Sequence, residues 1–320
     1  MTSLLSVRGL RVQIGTAAPV DGVDLEVAQG EVLGLVGESG SGKSLTLQAI
    51  LRLLPGTASV TGQVLWQGRD LMALPPLAMQ DVRGGQIAAI FQEPMTALNP
   101  LLPIGLQITE SLWVHLGMRG GVARRRAVEL LDLVGIPEPR QRLANYPHEF
   151  SGGMRQRAMI AIALAAGPKL LLADEPTTAL DVTIQDQILM LLLKLKSELQ
   201  MSVILVTHDL GVVAETCDRV AVLYAGRVVE TAAVADIFDR PSHAYTLGLL
   251  RSLPGAGQAR TRLTGITGTP PDPRALPPGC RFAPRCALAI DPCRVGDKLL
   301  RQVAPGQDSA CIRAETVMAA

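Results

Sequence analysis

The run Gly37-Glu38-Ser39-Gly40-Ser41-Gly42-Lys43-Ser44 constrains this chain more than any other feature. An apolar stretch of strand length, Val32-Leu33-Gly34-Leu35-Val36, precedes it, and Lys43 to Leu54 follows with helical spacing. A strand, a glycine-rich turn and a helix opening on Lys-Ser together read as a phosphate-binding loop. The glycines let the backbone curl so that several N–H groups face one phosphate chain, and the helix N-terminus adds its partial positive charge. Lys43 is expected to neutralise the outer phosphates and the Ser44 hydroxyl to ligate Mg²⁺. Gly37, Ser39, Gly40, Ser41 and Gly42 complete the expected nucleotide site.

A second element suited to the same chemistry lies far along the chain. Leu170-Leu171-Leu172-Ala173-Asp174-Glu175 reads as an apolar strand ending in two carboxylates. Side chains alternate along a strand, so the two acids need not share one task. Asp174 suits the outer shell of Mg²⁺, and Glu175 suits polarising a water for in-line attack on a γ-phosphate.

Strands are expected over 169–173, 203–206 and 220–224, with a long helix over 184–199 between them. The segment from about 94 to 165 reads mainly as helix, including 124–134 and 152–166. Alternating strands and helices predict an α/β fold with a mainly parallel sheet. At 320 residues and 48% apolar content the chain can bury a large core, which excludes disorder. Beyond Pro254, Pro, Gly and Arg become frequent and periodicity fades, so the tail reads as a small appendage with little core of its own.

The order of motifs then carries a resemblance. Between the phosphate loop and the acidic strand stands Phe150-Ser151-Gly152-Gly153-Met154-Arg155-Gln156-Arg157, and after them comes Thr207-His208-Asp209. With Phe91-Gln92-Glu93-Pro94 and Ala179-Leu180-Asp181, this series resembles the ATP-binding-cassette (ABC) ATPases over nearly the whole chain. The resemblance implies a P-loop core of RecA type, an antiparallel β subdomain and a helical subdomain at about 94–165, all within 1–254. It implies that Gln92 contacts Mg²⁺ and the attacking water, that Glu175 is the catalytic carboxylate and that His208 contacts the γ-phosphate. Ser151, Gly152 and Gly153 would act in trans, on ATP held by a partner's loop. The adenine-stacking position, near Ile14, offers no ring: Val12, Ile14 and Gly15 leave only apolar contact, with Ile14 taken as the base-contacting residue and GTP use left open.

Three further segments resemble the oligopeptide and dipeptide importer branch: residues 91–100, residues 174–183, and Arg240-Pro241-Ser242-His243-Ala244-Tyr245-Thr246, in which Ala244 replaces the usual Pro. Met154, where many family members carry Gln, is common in that branch. The branch implies a second, paralogous ATPase subunit, two transmembrane permeases and an extracytoplasmic solute-binding protein. Peptide is the expected cargo, with nickel, glutathione or oligosaccharide as alternatives.

Four of the five cysteines, Cys280, Cys286, Cys293 and Cys311, fall in the tail. Four soft ligands in a reducing compartment are expected to hold a metal, and their spacing leaves zinc and an iron–sulfur cluster open. The segment Gly279-Cys280-Arg281-Phe282-Ala283-Pro284-Arg285-Cys286 resembles the same branch, which implies a [4Fe-4S] cluster in a C-terminal domain at 255–320. Cys217 stands apart and reads as a small buried hydrophobe.

No apolar run is long enough to cross a bilayer; the longest candidate, 158–173, is interrupted by Gly167, Pro168 and Lys169. The start, MTSLLSVRGLRV, lacks the layout of a secretory signal, so a cytosolic location is expected. The resemblance implies that the chain is held to the inner membrane face through the permeases of a prokaryote. Thirty Lys and Arg against 29 Asp and Glu leave a net charge of +1, so no global field favours nucleic acid. A soluble cassette ATPase working on DNA or ribosomes would call for a basic surface or long heptads, and neither is present in the sequence. An iron–sulfur regulator with a degenerate ATPase is disfavoured by the intact Lys43, Glu175 and His208.

Overall fold

The computed structural model describes residues 3–92, 97–178, 180–253 and 265–319. Along the chain, β1 (Ser3–Ile14), β2 (Ala17–Ala28) and β3 (Val32–Val36) precede α1 (Lys43–Ile50). Then come β4 (Ala58–Trp66), β5 (Arg69–Asp70), α2 (Pro76–Val82) and β6 (Ile87–Ile90). Helices α3 (Ile104–Leu116), α4 (Gly120–Leu133), α5 (Pro139–Arg142) and α6 (Gly152–Leu164) lead to β7 (Leu170–Asp174), α7 (Val182–Glu198) and β8 (Ser202–Thr207). The chain continues through α8 (Leu210–Thr216), β9 (Arg219–Tyr224), β10 (Arg227–Ala233), α9 (Val234–Asp239) and α10 (Ala244–Arg251). The tail holds β11 (Arg301–Ala304), β12 (Gln307–Ser309) and α11 (Ala314–Met318). Two compact units result, one of Met1–Met72 with Thr207–Ala320 and one of Ala73–Val206.

In the first unit β1 pairs antiparallel with both β2 and β4, Val12 standing opposite Val20 on one side and Val60 on the other. With β5 paired to β4, these strands form the expected antiparallel subdomain, in the order β2-β1-β4-β5. By contrast β3 is buried at every residue, as befits a parallel strand covered on both faces. It pairs in parallel with β9, Leu35 opposite Ala221, and β9 turns through Ala225-Gly226 into antiparallel β10. The core against these strands gathers Val36, Val220, Val222, Tyr224, Val229 and Tyr245.

The tail is more deeply built in than an appendage. Strand β12 pairs antiparallel with β10, Glu230 opposite Ser309, and β11 pairs with β12. Phe282 enters the core just described. The reason this is invisible in the sequence is local: Gln307 and Ser309 are polar yet fully buried, so the strand that joins the sheet carries no apolar alternation.

In the second unit β6, β7 and β8 run parallel, with Leu170 opposite Ile87 on one side and Ser202 on the other. Helix α7 buries Ile188, Leu191, Leu192 and Leu195, the spacing of one helical face, and opens where the Asp181 carboxylate accepts the Ile184 N–H at 3.0 Å. Two boundaries differ from the sequence reading by four residues each. Helix α1 stops at Ile50 rather than Leu54, because Arg52 turns left-handed (φ 54°) and Pro55 follows. Helix α4 starts at Gly120, ahead of the expected Arg124.

Candidate active site

Two glycines of the phosphate loop, Gly37 and Gly42, are required by their surroundings. Gly37 has φ 154°, and a Cβ there would collide with the Leu223 carbonyl oxygen. Gly42, at φ 104°, caps α1, and a Cβ on it would come within 2.6 Å of the Pro19 carbonyl oxygen. The loop is tied to the β9–β10 turn, where the Gly226 N–H donates to Ser41 O at 2.8 Å. Lys43 is buried, and its ammonium donates to Gly37 O at 2.7 Å and Glu38 O at 3.1 Å. A cation is thus held over the loop at the start of a helix, the arrangement that favours a phosphate. Ser39 and Gly40 are exposed at the crest of the loop, and Ser44 is half-buried on α1. Ile14 ends β1 with an exposed side chain.

In the second unit Asp174 is buried at the end of β7. Glu175 follows in a left-handed conformation (φ 47°), and its N–H donates to Val206 O at 3.0 Å on β8. That backbone state costs on the order of 1 kcal/mol in a non-glycine residue and re-aims the carboxylate out of the strand alternation. The carboxylate Oε2 accepts from Gln92 Nε2 at 3.1 Å and from the Thr178 hydroxyl at 2.8 Å. The sequence reading expected Gln92 and Glu175 and passed over Thr178; the signal was its position three residues beyond an acid in a turn. Residues Glu93, Pro94 and Ala179, quoted for the cassette resemblance, and Met95 and Thr96, quoted for the importer branch, lie outside the described residues.

Ser151 caps α6, accepting the Met154 N–H at 3.3 Å, and Gly152 and Gly153 form its first turn. A Cβ on Gly153 would come within 3.0 Å of Ile184 Cγ2, which explains a small residue there. Arg155 Nε donates to Pro147 O at 2.7 Å and steadies the approach to the helix. In the first unit His208 is exposed immediately after β8, and Asp209 caps α8 through the Gly211 N–H at 2.7 Å.

Of the residues expected to hold Mg²⁺, Ser44 offers a hydroxyl in the first unit, and Asp174 and Gln92 offer a carboxylate and an amide in the second. Each is an oxygen donor, the kind Mg²⁺ takes beside phosphates and water.

The tail cysteines meet at one place. Cys280, Cys286, Cys293 and Cys311 all line a cavity of about 20 Å³, together with His243 and Phe282. That space holds about one water. Among the described residues no group of three or more His, Cys, Asp or Glu stands where it could hold a metal ion. The expectation of a zinc or [4Fe-4S] centre is therefore not supported by this arrangement. Burial pushes the Cys280, Cys286 and Cys311 thiols up, and neighbouring cysteines add to the shift of each. Cys217, expected to be buried, is only partly so: it lies against Gly34, where a Cβ would meet its Sγ at 3.0 Å, and desolvation pushes it up to about 11.

The tail also reaches the phosphate loop, which no sequence signal announced. The Glu38 N–H donates to the Tyr245 hydroxyl at 2.8 Å, and Arg285 grips the Glu38 carboxylate. Arg281 pairs with Asp21, and Asp21 N–H donates to Gly226 O at the turn that supports the loop. Burial pushes the Asp21 carboxyl up, but Arg281 and Arg227 outweigh it and hold it below the usual carboxylate range.

Comparison with known proteins bears on these sites. The family description ABC transporter matches residues 20–178, and oligopeptide/dipeptide transporter, C-terminal region, matches residues 229–293. The oligopeptide transport ATP-binding protein OppD of Bacillus subtilis is 52% identical over 91% of this chain and 83% of its own length. A dimeric ATP-binding cassette in a post-hydrolysis state with ADP and Pi superposes with a TM-score of 0.64 at 30% identity, over 72% of this chain and 98% of its own. CbiO1 of Clostridium perfringens, part of an ABC transporter complex, gives a TM-score of 0.64 at 26% identity, over 74% of this chain and 91% of its own.

Proposed function

Because this chain belongs to the ABC transporter ATPases, in the oligopeptide/dipeptide branch, we propose that it energises uptake of oligopeptides or dipeptides through partner permeases. The observation that carries the reading is the phosphate loop, with Lys43 held over carbonyls at a helix start and with Gly37 and Gly42, where a Cβ would collide with backbone. In this reading the loop binds ATP through its N–H groups and Lys43, and Ser44, Gln92 and Asp174 are the residues that would hold Mg²⁺, which would neutralise phosphate charge. Glu175, oriented by Gln92 and Thr178, takes a proton from the attacking water. His208 steadies the γ-phosphate.

Ser151, Gly152 and Gly153 would close on ATP carried by a second subunit, a paralogue, so that nucleotide is sandwiched only in the closed dimer. ATP then favours closure through contacts that the open state lacks, and loss of the γ-phosphate favours reopening. A 660 Å³ cavity lined by Leu102, Leu106, Trp113 and Met118 beside α3 supports docking of a permease's cytoplasmic segment on the helical subdomain. Among the described residues no helix is long and apolar enough to cross a membrane, in keeping with attachment to the cytoplasmic face through permeases.

The test is ATP turnover of the chain with its paralogue, with and without permeases, binding protein and peptide. Stimulation by peptide-loaded binding protein is expected. Stimulation by nickel, glutathione or an oligosaccharide instead would reassign the cargo, and turnover indifferent to permeases would remove the transport role.

A further inference from the structure

The phosphate loop carries an acid of its own. Glu38 stands one residue into the loop, where a bare carboxylate would oppose an incoming polyphosphate. The structure supplies its counter-charge from 247 positions away. Arg285 Nη1 donates to Oε2 at 2.6 Å and Nη2 to Oε1 at 3.0 Å, a two-pronged pair that matches guanidinium to carboxylate.

The guanidinium is itself fixed. Its side chain is only 6% exposed, Nε donates to Thr267 O at 2.9 Å, and Nη1 reaches the Tyr224 hydroxyl at 3.3 Å. It lies over two rings, 5.8 Å from the centroid of Tyr224 and 5.9 Å from that of Phe282. The other end of Glu38, its N–H, is held by the Tyr245 hydroxyl, and Tyr245 packs at 4.6 Å from Tyr224 and 5.4 Å from Phe282. One aromatic cluster therefore supports both groups that hold Glu38. Arg285 closes a short 3-10 turn, Ala283–Arg285, directly before Cys286 in the wall of the cysteine-lined cavity.

We propose that Arg285 is a positioning residue for nucleotide binding: from the tail it neutralises and orients Glu38, so that the phosphate loop meets ATP as a net cationic surface. The proposal rests on the reading of this loop as the ATP site. It makes the tail part of the nucleotide-binding machinery, although no atom of the tail need touch the nucleotide.

The test is a double-mutant cycle on the full chain, read as the Kd for ATP by displacement of a fluorescent analogue. Arg285→Ala is expected to weaken ATP binding about tenfold, the scale of losing one charge-assisted pair. Arg285→Lys, which keeps the charge without the fork, should lose less. Adding Glu38→Gln to Arg285→Ala should recover most of the loss, because the exposed carboxylate is its cause. The deficit of Arg285→Ala should also shrink between about 0.1 and about 1 M salt, where the screening length falls from about 10 to about 3 Å. The kcat at saturating ATP should change less than the KM. Parental affinity in Arg285→Ala would overturn the proposal. So would a Glu38→Gln variant that reproduces the loss with no recovery in the double variant, for then the pair only anchors the tail. A parent protein that binds no ATP would overturn the function this proposal rests on as well.

Discussion

Gln92 and Glu175, 83 positions apart, meet through a hydrogen bond of 3.1 Å from Nε2 to Oε2, and the hydroxyl of Thr178 donates to the same oxygen at 2.8 Å. One carboxylate oxygen thus has two donors, which sets the plane of the carboxyl group. Displacing Gln92 would therefore turn the Glu175 carboxylate, which the proposed function makes the base for the attacking water.

Replacing Glu175 with Gln keeps the shape and removes the group proposed as the base. Steady ATP turnover is expected to fall by about 10²–10⁴-fold while ATP binding persists. Parallel measurement of kcat and of nucleotide Kd checks it; unaltered turnover would remove Glu175 from its role.

Thr178→Val deletes one of the two donors to Oε2. A single neutral-donor bond to a carboxylate contributes about 1 kcal/mol, so kcat should drop about fivefold. The Kd for ATP should stay at the parental value, since Thr178 acts through Glu175. A change confined to Kd would contradict the orienting role.

His243 gives stability a pH dependence. It is buried, its Nδ1 accepts the Tyr245 N–H at 3.1 Å, and burial lowers its pKa from 6.5 to about 4. Between those values the unfolded chain binds the proton and the folded chain does not, so stability is full above pH 6.5 and is lost as pH falls towards 4. The limit of the effect is about 3 kcal/mol. Thermal midpoints taken from pH 7 to pH 4.5 should fall less steeply in His243→Asn, whose side-chain oxygen can still accept the Tyr245 N–H; an identical slope would exclude His243 as the group.

Glu230 is the hub that joins β10 to the tail. Fully buried, it accepts from Ser242 N and Oγ at 2.7 Å each, from His243 N at 2.9 Å and from Gln307 Nε2 at 3.0 Å. Glu230→Ala strands several buried donors and should destabilise the fold by about 3 kcal/mol or more. A urea midpoint within error of the parent would show that the hub is dispensable.

The core strands β3, β7, β8 and β9 were legible within a residue or two, because each is an apolar run of strand length with turn residues beside it. The phosphate loop and the acidic strand end were legible for a related reason: their chemistry is written in adjacent residues. Strand β12 was not legible, since its buried Gln307 and Ser309 read as a loop. The four tail cysteines suggested a metal centre by composition, yet in the fold they line a cavity with room for about one water. Spacing in sequence does not set how close thiols approach in space.

By itself the sequence determined a nucleotide-binding cassette, because a glycine loop, a lysine at a helix start and an acid after a strand are local structures that neighbouring residues suffice to build. Only the tertiary structure decided that Tyr245 and Arg285 hold Glu38 across 207 and 247 positions, and that Gln92 reaches Glu175 across 83. Those partners are chosen by how strands stack and where a buried charge finds its opposite, and neither is encoded in any one stretch of chain.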